Sequence, residues 1–114
     1  MSVVTPFPAI VTRPTQIGFD RHELTRILDL YGRMVAAGHW RDYAIALERE
    51  AASFSAFRRA AERPEYCIEK RPALRQRQGM WALIGEHGAV LKRGHELVPL
   101  LAPIERRLLK LVSE

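Results

Sequence analysis

Nine of the 18 lysine and arginine side chains fall in one stretch, and they are the groups in this sequence best suited to chemistry with a partner. Arg58, Arg59, Arg63, Lys70, Arg71, Arg75, Arg77, Lys92 and Arg93 stand against Glu62, Glu65, Glu69 and Glu86, so this window holds the entire net charge of +5. Residues 1–57 balance six basic against six acidic side chains, and residues 94–114 balance three against three. A guanidinium group is a planar fork that grips phosphate or carboxylate through two parallel hydrogen bonds. Unneutralised charge of one sign also steers association with the opposite sign. The total charge carries less weight than its placement, because arginine outnumbers lysine 15 to 3, a bias GC-rich codons produce by themselves. Drift of that kind scatters arginines evenly, whereas these are confined. The expected binding face is Arg58, Arg59, Arg63, Arg71, Arg75, Arg77, Lys92 and Arg93, with Tyr66 and Trp81 inside the window as surfaces for base stacking. The competing reading is a solvated surface of local ion pairs, such as Arg59 with Glu62, with both aromatics in the core.

The other reactive residue types do not assemble into a catalytic pattern. His22, His39, His87 and His95 do not recur at metal-ligand spacing, so no metal site is expected. Glu86-His87 suits a polar turn better than an acid–base pair, since a turn shelters neither side chain from water. Gly94-His95 offers free amides ahead of a helix, but a glycine at a chain corner is the plainer reading. Cys67 is the only cysteine and falls mid-strand, which predicts an inert, half-buried thiol. No nucleophile elbow, phosphate loop or dinucleotide fingerprint is present. Neither enzymatic activity nor a cofactor is expected. Trp40 and Arg41 form a candidate protein contact, because an exposed Trp-Arg pair has the character of an interface hot spot. The alternative is a Trp40 folded back over the end of the preceding helix.

The elements that would position these residues follow from periodicity. Residues 1–14 read as an arm with Pro6, Pro8 and Pro14, in which Ile10 to Thr12, or Gln16 to Phe19 just beyond, suit an edge strand. Asp20 and Glu23 match a capping box. Leu24, Ile27, Leu28, Tyr31, Met34 and Val35 then recur at helical spacing, with Arg26, Asp29 and Arg33 opposite and Gly38 as a left-handed stop. Tyr43, Ile45 and Leu47 alternate with polar or small residues, predicting a strand with one buried face. Further strands are expected over Ser53–Arg58, around Tyr66–Lys70, and on either side of Gly85–Gly88, with a short turn over Pro72–Gln78. A last helix from His95 buries Leu97, Leu100, Leu101, Ile104, Leu108 and Leu111, and Pro103 predicts a kink or break near Ala102. The fold class is α+β: an N-terminal amphipathic helix, a meander of four or five antiparallel strands, and a C-terminal helix. Residues 15–114 form one domain.

A chain of 114 residues with 47% apolar and 27% charged side chains has the composition of a single globular domain that folds without staples. No apolar run approaches the roughly 20 residues of a membrane helix. With no signal peptide and one cysteine, the chain reads as a cytoplasmic bacterial protein without membrane partners.

Four blocks resemble one family. They are Arg21 to Ile45, Phe54 to Lys70, the RQG of Arg77 to Gly79 and the LKRGH of Leu91 to His95. Together, across about Arg13 to Leu101, they are similar to a small bacterial family known as a domain of unknown function, number 2794. The resemblance implies a single-domain cytoplasmic protein and brings no activity with it. Cys67, where the family more usually has a basic residue, and the pair Pro99 and Pro103 depart from the pattern.

The functional expectation is a non-enzymatic binding module. Its basic face contacts nucleic acid or a ribonucleoprotein surface, RNA in preference to a specific DNA sequence. The alternative is an adaptor or regulator docking on an acidic protein, through the same face or through Trp40.

Overall fold

The computed structural model describes residues 16–113, so the expected arm and the Ile10–Thr12 strand lie outside the described residues. The chain runs α1 (Arg21–Ala36), β1 (Trp40–Leu47), β2 (Ala52–Arg58), β3 (Tyr66–Lys70), β4 (Trp81–Gly85), β5 (Val90–Gly94), α2 (Leu97–Leu100) and α3 (Ala102–Val112). The five strands pair in sequence order as one antiparallel meander, which makes the protein α+β. No described helix is long and apolar enough to cross a membrane.

Local chemistry explains the helix ends. The Asp20 carboxylate accepts from the Glu23 amide at 2.8 Å while the Glu23 carboxylate accepts from the Asp20 amide at 2.8 Å, so two orphan donors are satisfied reciprocally. At the other end Gly38 adopts φ +80°, and the His39 amide returns to the Met34 carbonyl at 3.0 Å. The C-terminal helix breaks where Pro103 removes an amide: α2 stops at Leu100, and α3 starts at Ala102 with the proline in its first turn.

The helices α1, α2 and α3 lie on one face of the sheet. Ile27, Leu30 and Met34 of α1, Leu97 and Leu100 of α2, Leu101, and Ile104 and Leu108 of α3 pack on Trp40, Phe54, Ile68, Trp81 and Leu83. Burying each of these large side chains contributes about 1.5–3 kcal/mol. The stripe read from sequence is rotated. Leu30 belongs to the buried face, whereas Leu28 and Val35 are 37% and 40% exposed. The reason is that the sheet lies beneath one flank of that stripe. The opposite flank of the helix meets α3, where Arg33 reaches Glu105 at 3.6 Å.

β1 corrects a second expectation. It is a strand, but Arg41 to Leu47 are exposed throughout: α1 reaches it at Tyr31, whose ring lies 5.0 Å from that of Tyr43, without burying the strand's residues. Residues 16–19 form no strand. The Ile17 amide still bonds the Glu48 carbonyl at 2.8 Å, and the Gln16 side chain bonds the Leu47 carbonyl at 3.3 Å. On the face away from the helices lie Ser55, Cys67, Ile84 and Val90 in one row and Ser53, Glu69, Ala82 and Arg93 in the next.

Candidate functional site

An up-and-down meander sends consecutive loops to opposite ends of the sheet. The Trp40 end collects the start of β1, the β2–β3 loop and the β4–β5 turn; the Leu47 end collects the β1–β2 turn, the β3–β4 connection and the exit from β5. Arg58, Arg59 and Arg63 therefore lie at the Trp40 end, and Arg71, Arg75 and Arg77 at the Leu47 end. The eight expected residues do not make one face. β3 separates the two groups by five residues, roughly 17 Å of extended chain.

Several of the eight are occupied. Arg58 bonds Glu86 at 3.2 Å, and Arg71 lies 3.4 Å from Glu69 and 3.7 Å from Glu50. Lys92 donates to the Pro99 carbonyl at 2.7 Å. Arg93 lies along the helix-free face with its Nη1 buried and without a hydrogen-bond partner among the described residues. Arg59, Arg63, Arg75 and Arg77 are exposed, with no described carboxylate within ion-pair distance. Lys70, also in the window, serves the fold. It meets Glu23 at 2.7 Å and the Gly18 carbonyl at 2.9 Å, and sits 5.8 Å from the Trp81 ring centroid.

Both tryptophans leave the list of contact residues. Trp40 is 4% exposed, stacked on Tyr31 at 5.9 Å, so the candidate contact at Trp40 and Arg41 reduces to an exposed Arg41. Trp81 is 2% exposed and stacks on Phe19, so no base can lie on it. Both rings are core because the pleat turns them toward the helices.

The Trp40 end gains residues that the charge count concealed. Two clefts open there, of about 430 and 280 Å³, and both are walled by Tyr66 and Arg107. The larger also reaches Glu86 and His87, and the smaller runs between Arg106 and Lys110 of α3. Burial raises the Tyr66 phenol above its ordinary value; the Glu65 carboxylate adds to the shift and the Arg107 guanidinium opposes it. The three α3 cations were invisible as a patch in the sequence, because Glu96, Glu105 and Glu114 cancel them in that segment. In the fold, Glu105 turns to Arg33 on the other side of the helix. The amphipathic period of α3 was the available signal.

Under this surface lies a polar cluster that spacing did not suggest. The Glu65 carboxylate accepts from the Trp40 indole at 2.7 Å and meets His39 Nε2 at 2.9 and 3.0 Å, with the His39 and Glu65 side chains each 12% exposed. It locks the β2–β3 loop onto the start of β1 and fixes the approach to Tyr66. No group of three metal-ligating side chains occurs among the described residues. Glu86 is engaged by Arg58 rather than by its neighbour His87. Cys67 is free; burial raises its thiol above the ordinary value, hydrogen bonding from Ser55 partly offsets this, and a less nucleophilic sulfur results.

Fold and site define a small α+β domain with a cationic, cleft-bearing end. The chain belongs to the family whose model is described as a protein of unknown function (DUF2794), which matches residues 17–101. The matched stretch ends at Leu101, so Arg106, Arg107 and Lys110 follow it. No curated protein and no solved structure matches the chain.

Proposed function

We propose that this protein is a non-enzymatic binding module that takes single-stranded nucleic acid, RNA in preference to duplex DNA, at the Trp40 end. The observation that carries the reading is the junction of two clefts at Tyr66 and Arg107, with Arg106 and Lys110 on one side and the β2–β3 loop at the same end of the sheet. Six cations gather there (Arg58, Arg59, Arg63, Arg106, Arg107 and Lys110) against Glu62, Glu65 and Glu86. Two of those acids are already engaged, Glu65 by His39 and Trp40 and Glu86 by Arg58. Guanidinium groups suit phosphate oxygens, and a half-buried tyrosine among them suits an unstacked base. Clefts of this size admit a nucleotide but not the width of a duplex.

Fluorescence anisotropy with a labelled single-stranded RNA, the matching single-stranded DNA and a duplex tests this. With three phosphate contacts, log K falls with log salt at a slope of about −2. Arg106→Glu with Arg107→Glu should lower affinity by tenfold or more, whereas Arg75→Glu with Arg77→Glu should leave it nearly unchanged. Absence of salt-sensitive binding to any of the three probes sinks the reading. Capture of one acidic protein at the same end, surviving nuclease treatment, would favour the adaptor alternative.

A further inference from the structure

Among the described residues no strand pairs with the outer edge of β1. The Glu48 amide bonds the Ala51 carbonyl, so Leu47, Ile45 and Tyr43 turn their backbone groups away from β2. Two observed bonds agree with that direction: Gln16 reaches the Leu47 carbonyl from outside, and the Asp42 carboxylate accepts from the Tyr43 amide at 2.9 Å. The Ile45 amide and carbonyl, the Tyr43 carbonyl and the Leu47 amide remain, with no partner among the described residues.

This edge is also apolar on its helix-side face. Tyr43, Ile45 and Leu47 are 45%, 41% and 45% exposed, and beside them the α1 flank presents Leu28 and Val35. Tyr31 joins the two groups, its ring 5.0 Å from that of Tyr43. Natural sheets usually guard an edge with lysine, proline or a covering element. Here a strand edge and a helix flank form one continuous apolar strip.

We propose that a second copy of this chain occupies the strip, β1 pairing antiparallel with β1 about a two-fold axis. An edge strand is its own complement under such an axis, since each amide meets the carbonyl that the symmetry returns to it. A strand suits this edge, because its backbone groups complement the outward-facing ones, and a second β1 carries apolar residues on the same face. Charge selects the register. Centring on Ile45 would set Asp42 against Glu48 and Arg41 against Arg49. Gln16 and Ile17, which sit outside Leu47 and Glu48, confine the pairing to the stretch Asp42–Ala46. Centring on Ala44 sets Tyr43 opposite Ile45 and Asp42 opposite Ala46, with no like charges facing. The Ile45 amide of each copy then reaches the Tyr43 carbonyl of the other. In that register the α1 flanks carrying Leu28 and Val35 lie on the same side of the joined sheet, next to the shared edge. The sheet becomes ten-stranded and continuous.

In that assembly the Trp40 end of one copy lies beside the Leu47 end of the other, so the separated arginine groups fall along the same side. The dimer itself does not depend on nucleic-acid binding.

The test is the mass of the full chain in solution, by light scattering on a sizing column at on the order of 100 μM, since self-association depends on concentration. The expected mass is twice that of the chain. Ile45→Lys should halve it with an unchanged far-ultraviolet spectrum, and Leu28→Glu on the helix flank provides a second variant should the first not fold. Register is read in a Cys67→Ser background. Ala44→Cys should cross-link to a covalent dimer on mild oxidation, because facing residues of a non-hydrogen-bonded pair lie about 4.5 Å apart at Cα, within disulfide reach. Ala46→Cys should cross-link far less. A single-chain mass for the unmodified protein overturns the proposal. So does a dimer that Ile45→Lys and Leu28→Glu both leave intact.

Discussion

Glu65, at the end of the β2–β3 loop, accepts the indole N–H of Trp40, the first residue of β1, at 2.7 Å. The same carboxylate holds His39 at 2.9 Å, so one side chain satisfies two partners in a site closed to most water. A hydrogen bond to a charged group is worth about 1.5–3 kcal/mol, and a buried donor left unpaired costs a similar amount. Glu65→Ala should therefore lower stability by about 2–4 kcal/mol, read as a shift in the urea midpoint. Glu65→Gln keeps one acceptor for the indole and should lose less. Equal losses for both variants would mean that the charge matters more than the acceptor.

Glu23 closes the capping box and grips Lys70 with the same oxygen, at 2.8 Å from the Asp20 amide and 2.7 Å from the ammonium group. Removing one member of a largely buried pair leaves the other uncompensated. Lys70→Met should cost about 2–3 kcal/mol by chemical denaturation. Lys70→Met combined with Glu23→Gln should cost less than the two single changes added together, a coupling that a double-mutant cycle measures.

Gly79 has φ +100°, and a Cβ there would run into the Gly94 carbonyl. Both backbone strain and collision oppose any side chain. Gly79→Ala should destabilise by more than about 1 kcal/mol, and Gly88→Ala, at φ +87° but in open space, by less. Thermal midpoints of the two variants rank the effects.

Three weak acids have folded-state pKa values raised above their ordinary ones: Tyr31 chiefly by burial and then by Asp42, Tyr66 by burial and Glu65, and Cys67 by burial. A raised pKa means that the unfolded chain gives up its proton first. The stability these groups contribute is complete below the ordinary values of 9.0 and 10.0 and is lost as pH rises through the folded values. Urea midpoints should hold between about pH 7 and 8 and fall towards pH 10.5, and Tyr66→Phe should flatten that fall. Alkylation of Cys67 at neutral pH should be slower than that of a free thiol and speed up on unfolding. Reaction at the free-thiol rate in the folded protein would contradict the burial seen here.

Short-range chemistry carried far in the sequence. The capping box at Asp20 and Glu23, the left-handed Gly38, the strand over Tyr66–Lys70 and the break before Pro103 each depend on residues within a few positions of one another. Such features survive in any fold that contains them. The order of the meander was legible for the same reason, because short connections force neighbouring strands to pair.

What the order of residues could not settle was direction in space. Periodicity marks an apolar stripe on α1 but not which flank meets the sheet, so it includes the exposed Leu28 and Val35 and omits the buried Leu30. Alternation marked β1 but could not say that both of its faces stay exposed. Arg63 and Arg71 are near neighbours in the chain, yet a five-residue strand between them carries one to each end of the sheet. Arg106 and Arg107, some 40 positions further on, return beside Tyr66 because α3 folds back across the core. Side-chain identity and spacing along the backbone fixed the elements. The translation of charge by each strand's length, and the choice of covered face, belong to tertiary packing alone.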